Sequence, residues 1–294
     1  MPELPEVETI RRQLLKEVIG KKIKKAEIKL PKLIFFQGKK GDVKNFQKIL
    51  SGAVIKKTER RAKILIITFF NGYALFIHLK LTGQLIYQTK NGKIKRGGHP
   101  WPRRDTPVPN KWTHIVIHFT DGSKIYFNDL RQFGYMKIVR SQEINQQPEI
   151  KKLGPEPLTD KFTLNKFKEI LSRRPKKKIK ALLIDQDAIA GIGNIYSDEV
   201  LFYAGVLPTR PAGKLTPKQA EKLYQGIKTI LKKAILKGGS SVDNYVMLSG
   251  KKGGFEPYLM VYGREEKKCK KCGALIKRMK IGGRSAHYCE KCQR

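Results

Sequence analysis

Two short repeats near the end of the chain, Cys269-Lys-Lys-Cys272 and Cys289-Glu-Lys-Cys292, restrict its folding more than any other feature. They contain all four cysteines of the 294 residues, with 16 residues between the pairs. Each Cys-x-x-Cys forms a tight turn that presents two sulfurs, and two such turns at this separation suit one tetrahedral metal ion, for which four thiolates select zinc. Two disulfides are the alternative, but they belong to oxidising compartments, and the N-terminus lacks the apolar core of a secretory signal. The expectation is one structural Zn2+ held by Cys269, Cys272, Cys289 and Cys292, with His287 outside a coordination sphere that is already full. Between the pairs, "RMKIGGRSAHY" reads as two strands about a glycine turn with Arg284 at its tip. That arginine suits a probe of a nucleic-acid groove and equally well a solvated turn charge.

The opposite end begins "MPELPEVETIRRQ". Pro5 fits the first turn of a helix, where its missing N–H has no partner to lose, and Glu3 and Glu6 complement the positive end of the helix dipole. Leu4, Val7, Ile10, Leu14 and Val18 form one apolar stripe that ends near Gly20. Helix grammar thus accounts for Pro5 and Glu6 but leaves Pro2 without a reason.

After this helix the pattern becomes β-branched and aromatic, in segments such as Ile23 to Leu30, Ala62 to Phe70, Tyr73 to Leu79, His114 to Phe119 and Lys124 to Asn128. Asn71-Gly72, Asn91-Gly92 and Asp121-Gly122 are hairpin-turn signals among them. Residues 1–140 therefore read as an antiparallel β-sandwich or barrel with a leading helix, interrupted by a basic, proline-rich loop, "RGGHPWPRRDTPVPNKW". A polar stretch with three prolines reads as a linker over 141–158. Helical signals follow over 159–265: Thr163 starts one helix, and Thr216-Pro217-Lys218-Gln219 has the form of a capping box opening another that stops at Gly238-Gly239. Residues 266–294 form the cysteine-rich unit. The fold class is α+β multidomain.

Charge points to the partner. The 62 Lys and Arg outnumber the 25 Asp and Glu, for a net +37, and a field this positive attracts polyanions from a distance. No apolar run reaches the roughly 18 residues of a membrane span, and no basic amphipathic helix stands out as a surface anchor. The reading is an intracellular, soluble protein that binds nucleic acid.

Two internal motifs fit that partner. In "IAGIGNIYSDEVLF", Asn194 and its neighbouring N–H groups open a helix, where a phosphate is stabilised; the glycines serve a tight interhelical turn equally well. The dinucleotide reading of Gly191-Ile192-Gly193 fails because Tyr196 occupies the third glycine position and the preceding "IKALLIDQDAIA" reads as helix. In "FNDLRQFGYM", Asp129, Arg131 and Phe133 alternate along an extended segment, so Arg131 and Phe133 share a side and suit a wedge into a base stack. A rim arginine beside a core phenylalanine is the ordinary alternative.

Taken in order, "PELPEVE", "RRAKILI", "HLKLTGQL", "DLRQFG", "GIGNIYSDE", "GGSSV" and the terminal "CEKCQR" resemble the formamidopyrimidine-DNA glycosylases over essentially the whole chain. The resemblance implies an N-terminal β-sandwich, a helix–two-turns–helix domain and a zinc finger, acting on double-stranded DNA with oxidised bases or abasic sites. It implies base-excision repair of 8-oxoguanine and formamidopyrimidines by a monomeric, cytoplasmic, nucleoid-associated glycosylase and abasic-site lyase. It also supplies the missing reason for Pro2, whose amine, exposed by loss of Met1, is the family's nucleophile. By the same resemblance Glu3 is the general acid and base, Lys63 contacts the lesion and its phosphate, and Arg284 grips the backbone at the lesion. Glu6, His78, Leu81, Arg131, Phe133, Lys180 and Asn194 fall among the DNA-binding positions, with Leu81 the wedge residue of "HLKLTG"; Glu6 also matches a family acid that holds the N-terminus or relays protons, its dipole role above remaining a full alternative. Leu81 stands where methionine is more common, Lys80 where glycine is common, and Asp243 adds an acid to a loop that closes over the displaced base. The related endonuclease VIII type, which removes oxidised pyrimidines, usually opens Pro-Glu-Gly-Pro, unlike "PELP".

Overall fold

A computed structural model describes every residue except Arg103, Arg104, Asp243 and Asn244; the expectation for Asp243 therefore lies outside the described residues. Two compact units emerge. The first comprises 1–151 and 238–254, the second 152–237 and 255–294.

The first unit opens with α1 (Leu4–Val18), followed by β1 (Ile23–Ile28), β2 (Ile34–Phe36), β3 (Lys39–Lys40) and α2 (Val43–Leu50). Then come β4 (Ile55–Arg61), β5 (Ile64–Phe69), β6 (Tyr73–His78), β7 (Gly83–Gln88), β8 (Ile94–Gly98), β9 (Thr113–Phe119), β10 (Lys124–Asp129), β11 (Tyr135–Arg140) and the single turn α3 (Pro148–Lys151). The strands form a five-stranded sheet, β1-β9-β10-β7-β8, and a six-stranded sheet, β3-β2-β11-β6-β5-β4. Every pairing is antiparallel except β2 with β11, which the sequence did not signal. The three expected hairpin turns occur where expected, with Gly72, Gly92 and Gly122 in the left-handed region at φ 82°, 80° and 89°. Alternate residues of the two sheets meet in one core, Ile115, Ile117, Ile125 and Phe127 from one and Leu65, Ile67, Leu75 and Ile77 from the other. The α1 stripe of Val7, Ile10, Leu14 and Val18 joins them.

The five-stranded sheet also carries apolar residues on its outer face, Ile86, Val116 and Tyr126. Val108, from the proline-rich loop, packs there, which gives that loop a structural task.

The segment 238–254, expected in the helical domain, belongs with the sandwich. Val246 bridges Gly98 in an antiparallel pair, and Tyr245 and Leu248 enter the sandwich core. Burial of those side chains outweighs sequence proximity to the helices.

The second unit contains α4 (Leu164–Ser172), α5 (Ile179–Leu183), α6 (Asn194–Ala204) and α7 (Pro217–Leu236), then the hairpin β12 (Lys277–Ile281) and β13 (Arg284–Tyr288). Thr163 and Thr216 cap α4 and α7, accepting the N–H groups of Lys166 and Gln219 at 3.1 and 3.2 Å. The helix expected through "IKALLIDQDAIA" is only five residues long, because Gln186 turns back to bond Ile184, Gly191 and Ile192. The hairpin shares a core with α6, in which Phe202 and Val261 pack on Cys269, Ile276 and Cys289. No helix among the described residues is long and apolar enough to cross a membrane.

Candidate functional site

In the first unit, the candidate residues gather on three tied turns. Pro2 and Glu3 are buried at the start of α1, with Glu3 in the N-cap position. The Glu6 carboxylate accepts the Glu3 N–H at 2.8 Å and, through its other oxygen, the Ser240 N–H at 2.9 Å. Tyr245 donates its hydroxyl to the Glu6 carbonyl at 3.3 Å. Glu6 was placed among the DNA contacts and also expected to hold the N-terminus; at 1% exposure it does the second, fixing both the N-terminus and the 238–254 segment.

Lys63 occupies the two-residue turn between β4 and β5, after Ala62 at φ 51°, and is buried. Arg60 ties that turn to α1: its Nη1 donates to the Ala62 carbonyl at 2.8 Å and its Nε to Glu8 at 3.2 Å. Burial pushes the Glu8 carboxyl up, but hydrogen bonds from Arg11 and Arg12, with the charges of Arg11 and Arg60, bring it down to about 2. The helix that Pro2 and Glu3 precede and the turn that carries Lys63 thus share an anchor that is ionised at physiological pH.

The third turn, His78 to Gly83, carries His78 and Leu81, both expected among the DNA contacts. His78 Nδ1 accepts the Lys80 N–H at 3.0 Å, which leaves Nε2 to carry the ring proton. Burial, then the charges of Lys80 and Lys63, hold His78 down to about 3, so the ring is neutral at physiological pH. Lys80 adopts φ 52°, a left-handed conformation that glycine takes without strain and lysine does not. Leu81 is half-buried beside it. Thr82 hydrogen-bonds the Asp129 carboxylate and accepts the Arg131 N–H at 2.9 Å.

Asp129 then organises the adjoining loop. Fully buried, it also accepts the N–H groups of Arg131 at 3.2 Å and Gly134 at 2.6 Å. The segment expected to be extended is a bend, with Gln132 at φ 57°. Arg131 and Phe133 nonetheless share a side, because the bend stacks the guanidinium 4.9 Å from the ring centroid. Phe133 is 55% exposed, so it is no core residue. Sequence reading gave Asp129 and Thr82 no task; Asp129 is followed at +2 and +5 by the amides it binds, a loop-capping pattern that was available in the sequence.

In the second unit, Asn194 begins α6 after Gly193, and its Oδ1 is a buried acceptor with no hydrogen-bond partner among the described residues. Lys180 was expected to touch phosphate and is instead enclosed, with 0% of its side chain exposed. Its ammonium donates to the Asn194 carbonyl and Ser197 Oγ, both at 2.9 Å, and to Asp198 at 2.7 Å. Arg284 is exposed at the first position of β13, next to the Gly282-Gly283 turn.

The four cysteine sulfurs lie within 4.8 Å of one another. Cys272 and Cys289 are 3.4 Å apart and Cys269 and Cys292 4.0 Å. Both are too long for a disulfide, at about 2.05 Å, and bracket the roughly 3.8 Å edge of a zinc tetrahedron with Zn–S near 2.3 Å. The set fits one structural zinc.

Family comparison accounts for nearly the whole chain. Residues 1–136 match the formamidopyrimidine-DNA glycosylase N-terminal domain, 153–245 its H2TH domain, and 266–294 a zinc finger found in FPG and IleRS. The formamidopyrimidine-DNA glycosylase of Brevibacillus brevis is 41% identical, covering 100% of this chain and 99% of its own. That of Pelotomaculum thermopropionicum is 39% identical with the same coverage. The Lactococcus lactis Fpg solved with DNA containing an abasic site is 34% identical at a TM-score of 0.86, covering 99% of both chains. The structure of MutM with DNA containing carbocyclic 8-oxo-G is also 34% identical, at 0.85. With its motifs, domains and metal ligands all accounted for, this chain belongs to the formamidopyrimidine-DNA glycosylase family.

Proposed function

We propose that the protein excises oxidised purines, 8-oxoguanine and formamidopyrimidines, from duplex DNA and then cleaves the abasic site, with Pro2 as nucleophile. The observation that carries this reading is the N-terminus itself: Pro2 and Glu3 are buried together at the N-cap of α1, with the Glu3 N–H held by Glu6. Relatives were solved with DNA containing an abasic site, with DNA containing Fapy-dG (the G226P mutant of the Lactococcus lactis Fpg) and with DNA containing carbocyclic 8-oxo-G, which supports this lesion class.

Once Met1 is removed, Pro2 presents a secondary α-amine. Such amines titrate near 7.7–8.0, well below lysine, so a useful fraction is neutral and nucleophilic at physiological pH. Its nitrogen bonds to the sugar C1′, the glycosidic bond breaks, and the base leaves with the electron pair and a proton. Glu3 protonates the ring oxygen as the sugar opens, and the resulting iminium is positively charged without needing a proton on nitrogen. That charge draws electrons from C2′ as its proton is lost, expelling the 3′ phosphate; a second elimination expels the 5′ phosphate. Lys63 meets the lesion and its phosphate, with His78 donating from Nε2 beside it. Leu81, Arg131 and Phe133 fill the space left by the displaced nucleotide, while Asn194 and Arg284 hold the backbone. Glu6 and Lys180 act through the groups they position. The enzyme works as a cytoplasmic, nucleoid-associated monomer.

Borohydride during reaction with an 8-oxoguanine duplex traps an adduct that maps to Pro2, and protein retaining Met1 yields none; an adduct on Lys63 would overturn the assignment. Single-turnover cleavage of 8-oxoguanine opposite cytosine is much faster than of thymine glycol opposite adenine at one fixed salt concentration, since a chain of net +37 binds every duplex nonspecifically. The reverse order would make the lesion class oxidised pyrimidines, and cutting of neither would leave a DNA-binding protein without catalysis.

A further inference from the structure

Asp198 stands where three parts of the second unit meet. It lies in α6, and none of its side chain reaches solvent. One carboxylate oxygen accepts from the Lys180 ammonium of α5 at 2.7 Å. The other accepts the His287 backbone N–H of β13 at 3.0 Å and faces His287 Nδ1 at 3.1 Å. Lys180 in turn binds the Asn194 carbonyl, and Ser197 Oγ donates to the Gly193 carbonyl at 2.6 Å. On its far side the His287 ring meets Glu265 at 3.3 Å and the edge of Tyr262, with centroids 4.9 Å apart.

A buried carboxylate–ammonium pair adds little stability over apolar side chains of the same shape, so its contribution here is geometric. The chain of contacts fixes the first turn of α6, which carries Asn194, and the strand that carries Arg284, to one carboxylate. We propose that Asp198 is a positioning residue that joins the zinc hairpin and the Gly193-Asn194 turn into one rigid phosphate-binding platform, so that metal binding at the cysteines sets the geometry of the turn. The platform's ligand, a DNA phosphate, rests on the function proposed above.

Amide hydrogen exchange on the full-length protein tests the coupling without DNA. Withdrawing zinc from the wild type should accelerate exchange at 191–197 by at least tenfold while amides in the middle of α7 remain protected. His287→Phe, which removes the ring contact to Asp198 and keeps both the backbone bond and the Lys180–Asp198 pair, should reproduce part of the acceleration with zinc bound. No change at 191–197 on zinc withdrawal overturns the proposal even if the variant does not fold. Affinity for a duplex with a tetrahydrofuran abasic analogue supplies the second readout. Asn194→Ala and Arg284→Ala should be non-additive by at least fivefold in the wild type and measurably closer to additive in the His287→Phe background. Equal coupling in both backgrounds overturns the proposal. A duplex that does not bind at all counts against the DNA reading, and the exchange result still decides the platform.

Discussion

Replacing His78 with asparagine should flatten the acid limb of the stability curve of the first unit. The asparagine Oδ1 can accept the Lys80 N–H that His78 Nδ1 now accepts at 3.0 Å, so the turn keeps its hydrogen bond and loses only a titrating ring. His78 is held down to about 3, chiefly by burial and then by the charges of Lys80 and Lys63, whereas an unfolded histidine titrates near 6.5. Between those values the unfolded chain binds a proton that the folded chain refuses. The stabilisation is therefore complete above pH about 6.5 and is lost as pH falls toward 3, at roughly 1.4 kcal/mol per pH unit. Relative to pH 7.5, the wild type should lose between about 1 and 2 kcal/mol to this group at pH 5.5 and a little under about 3 kcal/mol at pH 4.5. The carboxylates of Glu8 and Asp121, both held at about 2, give up their contribution mainly at lower pH. Both tryptophans, Trp101 and Trp112, lie in the first unit, so their fluorescence in urea reports that unit alone. The variant should show a smaller midpoint shift between pH 7.5 and 4.5 than the wild type, by on the order of 1 M urea. Because the two proteins share every other titrating group, parallel curves would refute the argument.

Three further outcomes follow from the same contacts. Glu6→Gln keeps the shape but turns an amide N–H2 toward one of the two backbone donors now held at 2.8 and 2.9 Å; an unsatisfied buried donor and a lost charge-assisted bond should cost about 3 kcal/mol, measured by the same fluorescence, and Glu6→Ala should not be milder. Lys80→Gly should stabilise the first unit by up to about 1 kcal/mol, since relief of left-handed strain exceeds the added entropy of unfolded glycine, and it should raise the His78 pKa by NMR titration; a destabilised variant would show that the lysine contributes more than its backbone conformation costs. Cys269→Ser, or zinc withdrawal, should unfold the hairpin, misplace Arg284 and weaken duplex binding while the tryptophan-monitored transition of the first unit stays in place; full affinity in zinc-free protein would refute it.

The sequence alone determined the features that local chemistry dictates. Two Cys-x-x-Cys pairs can make one tetrahedral site whatever surrounds them, Asn-Gly and Asp-Gly turns close hairpins by their own backbone preferences, and Thr216 with Gln219 caps a helix within four residues. The motif order likewise identified the family, and with it the reason for Pro2. Tertiary structure decided what depends on residues far apart in the chain. No local pattern could place Ser240 on Glu6, pair β2 with β11 in parallel, or return Tyr245 and Leu248 to the sandwich core. Lys180 shows the limit most clearly. In sequence it is one lysine among many in a chain of net +37, and only the meeting of α5, α6 and β13 surrounds its ammonium with Asp198, Ser197 and the Asn194 carbonyl. A charge reaches solvent or a buried partner according to which elements pack over it, and packing is a property of the whole unit.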